Sequence, residues 1–153
     1  MAKKAAGLVM FRRTSPTTIE VLLVHPGGPL WAHKDAGAWS IPKGEYVAPE
    51  DPLDAAQREF EEETGGKATG PFTELGTIRQ KSGKLVTAWA CEGDFDPSRL
   101  TSNTFEMEWP KKSGKLQNFP EVDRAEWLSI AKAKEKINPA QLPLLDALTA
   151  STS

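Results

Sequence analysis

Apolar residues fall into short runs separated by polar turns, and the runs predict strands before helices. Ala5 to Arg12 and Ile19 to His25 flank Thr14, Ser15 and Pro16, so they read as two strands joined by a hairpin turn. Val21, Leu22, Leu23 and Val24 are apolar without alternation, as in a strand covered on both faces. Leu85 to Cys91 has the same character, with Leu85 and Trp89 on one face and Val86, Ala88 and Ala90 on the other. Thr73 to Arg79 predicts a further strand and Arg124 to Leu128 a short one, while Pro26, Gly27, Gly28 and Pro29 mark a loop. Three helices punctuate these strands. Asp51 can cap a helix that has Pro52 at its first position, runs to Thr64 and stops at Gly65 and Gly66. Ser129 caps a second through Ile137, and Pro139 to Leu148 forms a third that buries Leu142, Leu145 and Leu148. Strands grouped between helices predict an α/β fold, a mixed sheet with helices on both faces.

Composition narrows this picture. With 153 residues the chain suits one domain over residues 1–153, and 39% hydrophobic against 26% charged residues excludes a disordered or membrane class. The apolar run from Ala5 to Phe11 is too short to span a bilayer, and Lys3 and Lys4 lead into no signal-peptide pattern. A cytoplasmic location is therefore expected. Cys91 is the only cysteine, which excludes an intramolecular disulfide and a cysteine zinc cage; in an apolar strand it is expected to be inert core. A net charge of −2 argues against a general polynucleotide binder. Oligomeric state leaves no mark in the sequence.

The charge is uneven. Between Gly44 and Gly66 lie eight carboxylates and one base, Arg58. At ~100° per residue, Glu62 and Glu63 fall about 60° and 40° to either side of Glu59, so the three carboxylates share one stripe of the first helix. Leu53, Ala56 and Phe60 share the adjacent stripe, so a carboxylate cluster runs beside the buried face. Like charges at this spacing disfavour a helix unless solvent or a cation offsets them, and oxygen-only ligands suit Mg²⁺, Mn²⁺ or Ca²⁺ rather than zinc.

Written out, the segment is Gly44, five residues, Glu50, seven residues, then Arg58–Glu59–Phe60–Glu61–Glu62–Glu63–Thr64–Gly65–Gly66. It resembles the Nudix box, G-x5-E-x7-R-E-U-x-E-E-x-G-U with U a bulky apolar residue, at eight of nine specified positions. Gly66 departs, where the family has a branched aliphatic residue, and weaker packing at the helix end is expected from it. Gly7, the apolar strand at 21–24 and Trp39–Ser40–Ile41–Pro42–Lys43 leading into the box are similar to the family as well.

The resemblance implies a three-layer α/β/α sandwich and Mg²⁺-dependent hydrolysis, with Mn²⁺ able to substitute, of a nucleoside diphosphate linked to a group X. It makes Glu59, Glu62 and Glu63 the metal ligands, adds the Lys43 backbone carbonyl, and leaves Arg58 to orient a carboxylate and Glu50 to support the site. Glu50 and Arg58 suit a purely structural role equally well. Family members often use a further glutamate, and several place it six residues before a tryptophan. Glu121 stands so before Trp127, which makes it the expected fourth ligand or general base; Glu106 and Glu108, on an expected strand, are expected to face solvent.

A polyanionic substrate would be repelled by bare carboxylates, and metal reverses that field and polarises phosphoryl oxygens. Around the expected turn at Ser82–Gly83, Arg79, Lys81 and Lys84 are placed to meet distal phosphates, as is the side chain of Lys43; a solvated hairpin tip accounts for the turn cluster equally well. Five tryptophans are many for this length, and one or two are available to stack on a base. His25 and His33 lack metal-ligand spacing and receive no role. The expected substrates are small nucleotides, dinucleoside polyphosphates or nucleoside triphosphates. The alternatives are a non-catalytic nucleotide-binding module, disfavoured because every box glutamate is present, and an acidic interaction helix.

Overall fold

Alternation along the two longest strands decides the layering. The computed structural model describes residues 3–152. β1 (Lys4–Ser15) and β2 (Thr18–Pro26) form the expected antiparallel hairpin, with Phe11 opposite Val21. Val9, Phe11, Val21 and Leu23 point into one core, and Leu8, Met10, Leu22 and Val24 into another. Both faces of these strands are thus buried, as the unbroken apolar run predicts.

β3 (Lys43–Glu45) adds to β1, with Gly44 opposite Ala6, and was not anticipated. α1 follows over Pro52–Thr64, with the Asp51 carboxylate accepting from the amides of Leu53 and Asp54, and Gly65 closing it at φ 82°. β4 (Thr73–Arg79) pairs with β5 (Leu85–Glu92), and β5 runs parallel to β1. β6 (Thr104–Glu108) and β7 (Leu116–Pro120) form a separate two-stranded sheet, in which Glu106 and Glu108 are exposed as expected. β8 (Val122–Ser129) starts two residues before the expected strand and pairs with β2. The order across the main sheet is β4-β5-β1-β2-β8, with β3 attached beside β1.

α1 covers one face through Ala55, Ala56 and Phe60. α2 (Ile130–Lys136), capped by Ser129, covers the other together with α3 (Leu142–Thr152), through Ala133, Leu144, Leu145 and Leu148. The last helix begins at Leu142 because Pro139–Gln141 forms a tighter 3₁₀ turn, capped by Asn138. Among the described residues, no helix is long and apolar enough to cross a membrane.

Candidate active site

Close approach of β3 to α1 organises the site. A Cβ on Gly44 would overlap the Glu59 carboxyl group, so the strand passes over that carboxylate only because position 44 has no side chain. One residue earlier, the Lys43 amide donates to Glu63 Oε1 at 3.2 Å. Glycine and lysine thus bring the strand backbone to two carboxylates one helical turn apart.

Arg58 fixes the other side. Its fork holds both oxygens of Glu50, Nε to Oε2 at 2.8 Å and Nη2 to Oε1 at 2.9 Å. Nη1 then donates to Glu59 Oε1 at 2.8 Å and Glu62 Oε2 at 3.0 Å. This planar clamp suits arginine and not lysine. Hydrogen bonding to Glu50 raises the Arg58 pKa further, and Arg58 in turn lowers that of Glu50.

Glu121 arrives from a distant part of the chain by a two-step backbone ladder. The Asn103 amide donates to the Glu62 carbonyl at 2.9 Å, and the Glu121 amide to the Asn103 carbonyl at 2.8 Å. The Glu121 carbonyl accepts from Gly27 at 2.9 Å, and a side chain at Gly27 would overlap the Pro120 carbonyl. Lys43, Glu59, Glu62, Glu63 and Glu121 therefore line one cavity of about 380 Å³ with Asn103 and Lys84.

Burial, opposed by Lys43, pushes the Glu63 carboxyl up to about 8. Glu59 is raised by burial against the pull of Arg58, and Glu121 by burial and the nearby Glu62. Burial lowers Lys43, and Glu63 opposes that shift. An anionic cluster that resists ionisation lacks positive charge, which a hard divalent cation would supply. As placed, no three His, Cys, Asp or Glu among the described residues close on one point. Arg58 and Lys43 engage Oε1 of Glu59, Oε2 of Glu62 and Oε1 of Glu63. The all-oxygen donor set fits such an ion.

Arg79 is exposed and outside this cavity, at the end of β4. Lys84, across the turn, lines it and pairs with Glu45 at 2.8 Å. Asn103 is present with no signal in the sequence. A second cavity of about 290 Å³ shares Glu63 and Glu121 with the first and has an apolar wall of Leu30, Trp31, Phe105 and Met107. Trp39 and Trp89 are buried instead, and Trp127 Nε1 donates to the Phe95 carbonyl at 2.8 Å.

His25, to which the sequence assigned no role, is fully buried. Its Nδ1 lies 2.8 Å from Asp123 Oδ1 and its Nε2 2.6 Å from the Lys34 carbonyl, so it ties the loop carrying Trp31 to the strand that follows Glu121. Cys91 is buried, and its thiol is pushed up to about 11, as expected of inert core. Where packing at Gly66 was expected to weaken, the Phe95 ring stands against the glycine and edge-on to Phe60, with centroids 6.4 Å apart.

The family model for the NUDIX domain matches residues 1–148. The chain belongs to this family and is an enzyme that hydrolyses phosphoanhydride bonds, a chemistry for which Nudix enzymes generally use a divalent metal. Among characterised relatives, the asymmetrical bis(5′-nucleosyl)-tetraphosphatase of Rattus norvegicus is 37% identical over 122 residues, which cover 71% of this chain and 79% of that one. Among solved structures, the binary complex of a C. elegans Ap4A hydrolase aligns with a TM-score of 0.64 at 24% identity, covering 98% and 97% of the two chains. A NUDIX hydrolase from Nitrosomonas europaea aligns at 0.66 with 20% identity, covering 99% and 91%. These two likenesses establish the α/β Nudix fold.

Proposed function

We propose that the chain, as one domain over residues 1–153, hydrolyses the polyphosphate bridge of dinucleoside polyphosphates in the cytoplasm, with nucleoside triphosphates as a secondary substrate. The observation that carries this reading is the carboxylate cavity adjoining the aromatic pocket of Trp31 and Phe105, with Glu63 and Glu121 lining both. A base stacked in the pocket places its phosphates over the carboxylates. The name of the rat relative supports the same substrate class.

Glu59, Glu62, Glu63 and Glu121 would hold Mg²⁺, or Mn²⁺ in its place, with the Lys43 carbonyl. When bound, the cation supplies Lewis-acid polarisation of the phosphoryl oxygens and neutralises their charge. As the alternative to ligating the ion, Glu121 accepts a proton from the attacking water from its place in the same cavity. Arg58 keeps Glu59 and Glu62 oriented toward the cavity. The Lys43 side chain and Lys84, in preference to Arg79, stabilise charge on the phosphates.

The test is turnover by purified protein with Mg²⁺ or Mn²⁺ on a panel of dinucleoside polyphosphates, nucleoside triphosphates, ADP-ribose and nucleotide sugars. The expected result is fastest cleavage of a dinucleoside tetraphosphate to a nucleoside triphosphate and a monophosphate. A chain that prefers nucleotide sugars, or that turns over nothing with either metal, overturns the reading.

A further inference from the structure

Beyond the carboxylate cavity, away from the Trp31 pocket, lies a groove of about 570 Å³ whose lining includes Lys3, Lys4, Glu45, Tyr46, Val47 and Glu50. Glu45 lines both the groove and the carboxylate cavity, so the two are neighbours across one side chain, whereas the Trp31 pocket borders that cavity at Glu63 and Glu121. A substrate with two nucleosides joined by phosphates has this sequence of chemistries: apolar ring, polyanion, apolar ring.

The groove walls have the chemistry of a nucleotide seat. Val47 is 79% exposed, an apolar side chain left to solvent, and Tyr46 packs partly into the core beneath α1. The Tyr46 amide donates to the Lys4 carbonyl at 3.1 Å, which fixes the aromatic beside the lysines. Both carboxylates here are already matched. Glu45 pairs with Lys84 at 2.8 Å and Lys3 at 3.8 Å, and Glu50 with Arg58. Among the described residues Lys4 is in no ion pair, so the groove retains positive charge. Lys43 and Lys84 line the cavity and Lys3 and Lys4 the groove, and because Lys84 and Lys3 share the single carboxylate of Glu45, the stretch between them keeps a net positive charge toward a polyphosphate.

We propose that this groove seats the second nucleoside of a dinucleoside polyphosphate, with Lys4 on a distal phosphate and Tyr46 and Val47 against the base. This rests on the dinucleoside reading above. The volume lies within the ~300–1,000 Å³ of small-molecule sites.

The test uses Val47→Glu and Lys4→Glu in the full chain, at an exposed side chain and an exposed strand end, where folding is not at stake. KM for diadenosine tetraphosphate should rise by about tenfold or more in each, a loss of ~1.4 kcal/mol per tenfold, with kcat within about twofold. The inhibition constant of adenosine triphosphate, which has no second nucleoside and is readable whether or not it turns over, should stay within about twofold. An unchanged KM in both variants, or an equal shift for the triphosphate, overturns the groove assignment and leaves the dinucleoside reading standing. A wild-type chain that cleaves only triphosphates overturns both.

Discussion

At the scale of single residues, Gly44 and Glu59 compete for one volume, and the site exists because the glycine gives way. Gly44→Ala should displace either β3 or the Glu59 carboxylate. Since misplacement of ~1 Å at a reacting centre costs ~10²-fold, kcat should fall by about that factor while circular dichroism stays native. Unchanged turnover would show that the Glu59 carboxylate is not needed where it stands. Glu121 bears a sharper prediction. Glu121→Gln should lose at least ~10²-fold in kcat, ~2.7 kcal/mol of barrier, with KM within a few-fold. Glu106→Gln and Glu108→Gln, on the exposed edge of β6, should lose almost nothing. Stopped rates on one confirmed substrate decide between them; a harmless Glu121→Gln beside a crippled control would move the fourth carboxylate onto β6. Residue identity alone made the box carboxylates legible, because their spacing is fixed by one helix. It did not separate Arg79 from Lys84. Both flank the same turn, and only the pairing of β4 with β5 and of β3 with β1 decides which one reaches Glu45.

At the scale of elements, α1 was the most legible part of the chain because its signals are local. Asp51, Pro52 and Gly65 each act on the backbone beside them, and the helix has the predicted bounds. Asp51→Ala should therefore cost about 1 kcal/mol by urea unfolding and leave kcat unchanged, since the cap lies a full helix length from Glu63. β3 was not legible: three residues carry no period, and their strand character comes from pairing with Ala5–Gly7. β7 was missed because Gln117 and Asn118 are exposed polar residues with nothing to alternate against. The aromatic pocket was equally hidden, since Trp31 and Phe105 meet only after β6 folds over the loop that follows β2. Gly66 shows the same limit. Its departure from the box reads as lost packing until Phe95, twenty-nine positions on, is seen to fill the space. If that is its role, Gly66→Val should be destabilising alone, from overlap with the ring, and less so in a Phe95→Ala background. A coupling energy of ~0.5 kcal/mol or more in a double-mutant cycle is the expected reading; strict additivity would show that the ring and the glycine are independent.

At the scale of the whole molecule, stability and catalysis pull on the same carboxylates. Two cores, one on each face of the sheet, hold the fold without help from a metal, so EDTA should abolish turnover while leaving the chain folded. The site then stores unfavourable charge. Glu63 has a folded pKa of about 8 against its ordinary 4.5, and Glu59 and Glu121 are raised in the same direction. Between these values the folded chain binds more protons than the unfolded chain, so stability falls as pH rises. The stability these groups contribute is fully present below about 4.5, is lost progressively as pH rises toward about 8, and changes little beyond. Asp35, Glu45, Glu50 and Asp96 are lowered, and their contributions are lost only as the pH drops below the ordinary carboxylate range, outside this window. The melting temperature of the metal-free protein should therefore decline from pH 5 to pH 8, and Glu63→Gln should flatten that decline. Mg²⁺ should reverse it. A cation binds the ionised cluster of the folded chain, and its mass-action stabilisation grows as the carboxyls lose their protons. Calorimetric scans at pH 5 and pH 8, with EDTA and with saturating Mg²⁺, should show the larger Mg²⁺ gain at pH 8. Equal gains at both values would place the ion away from Glu63, and a flat metal-free profile would mean that Glu63 ionises freely in the folded chain.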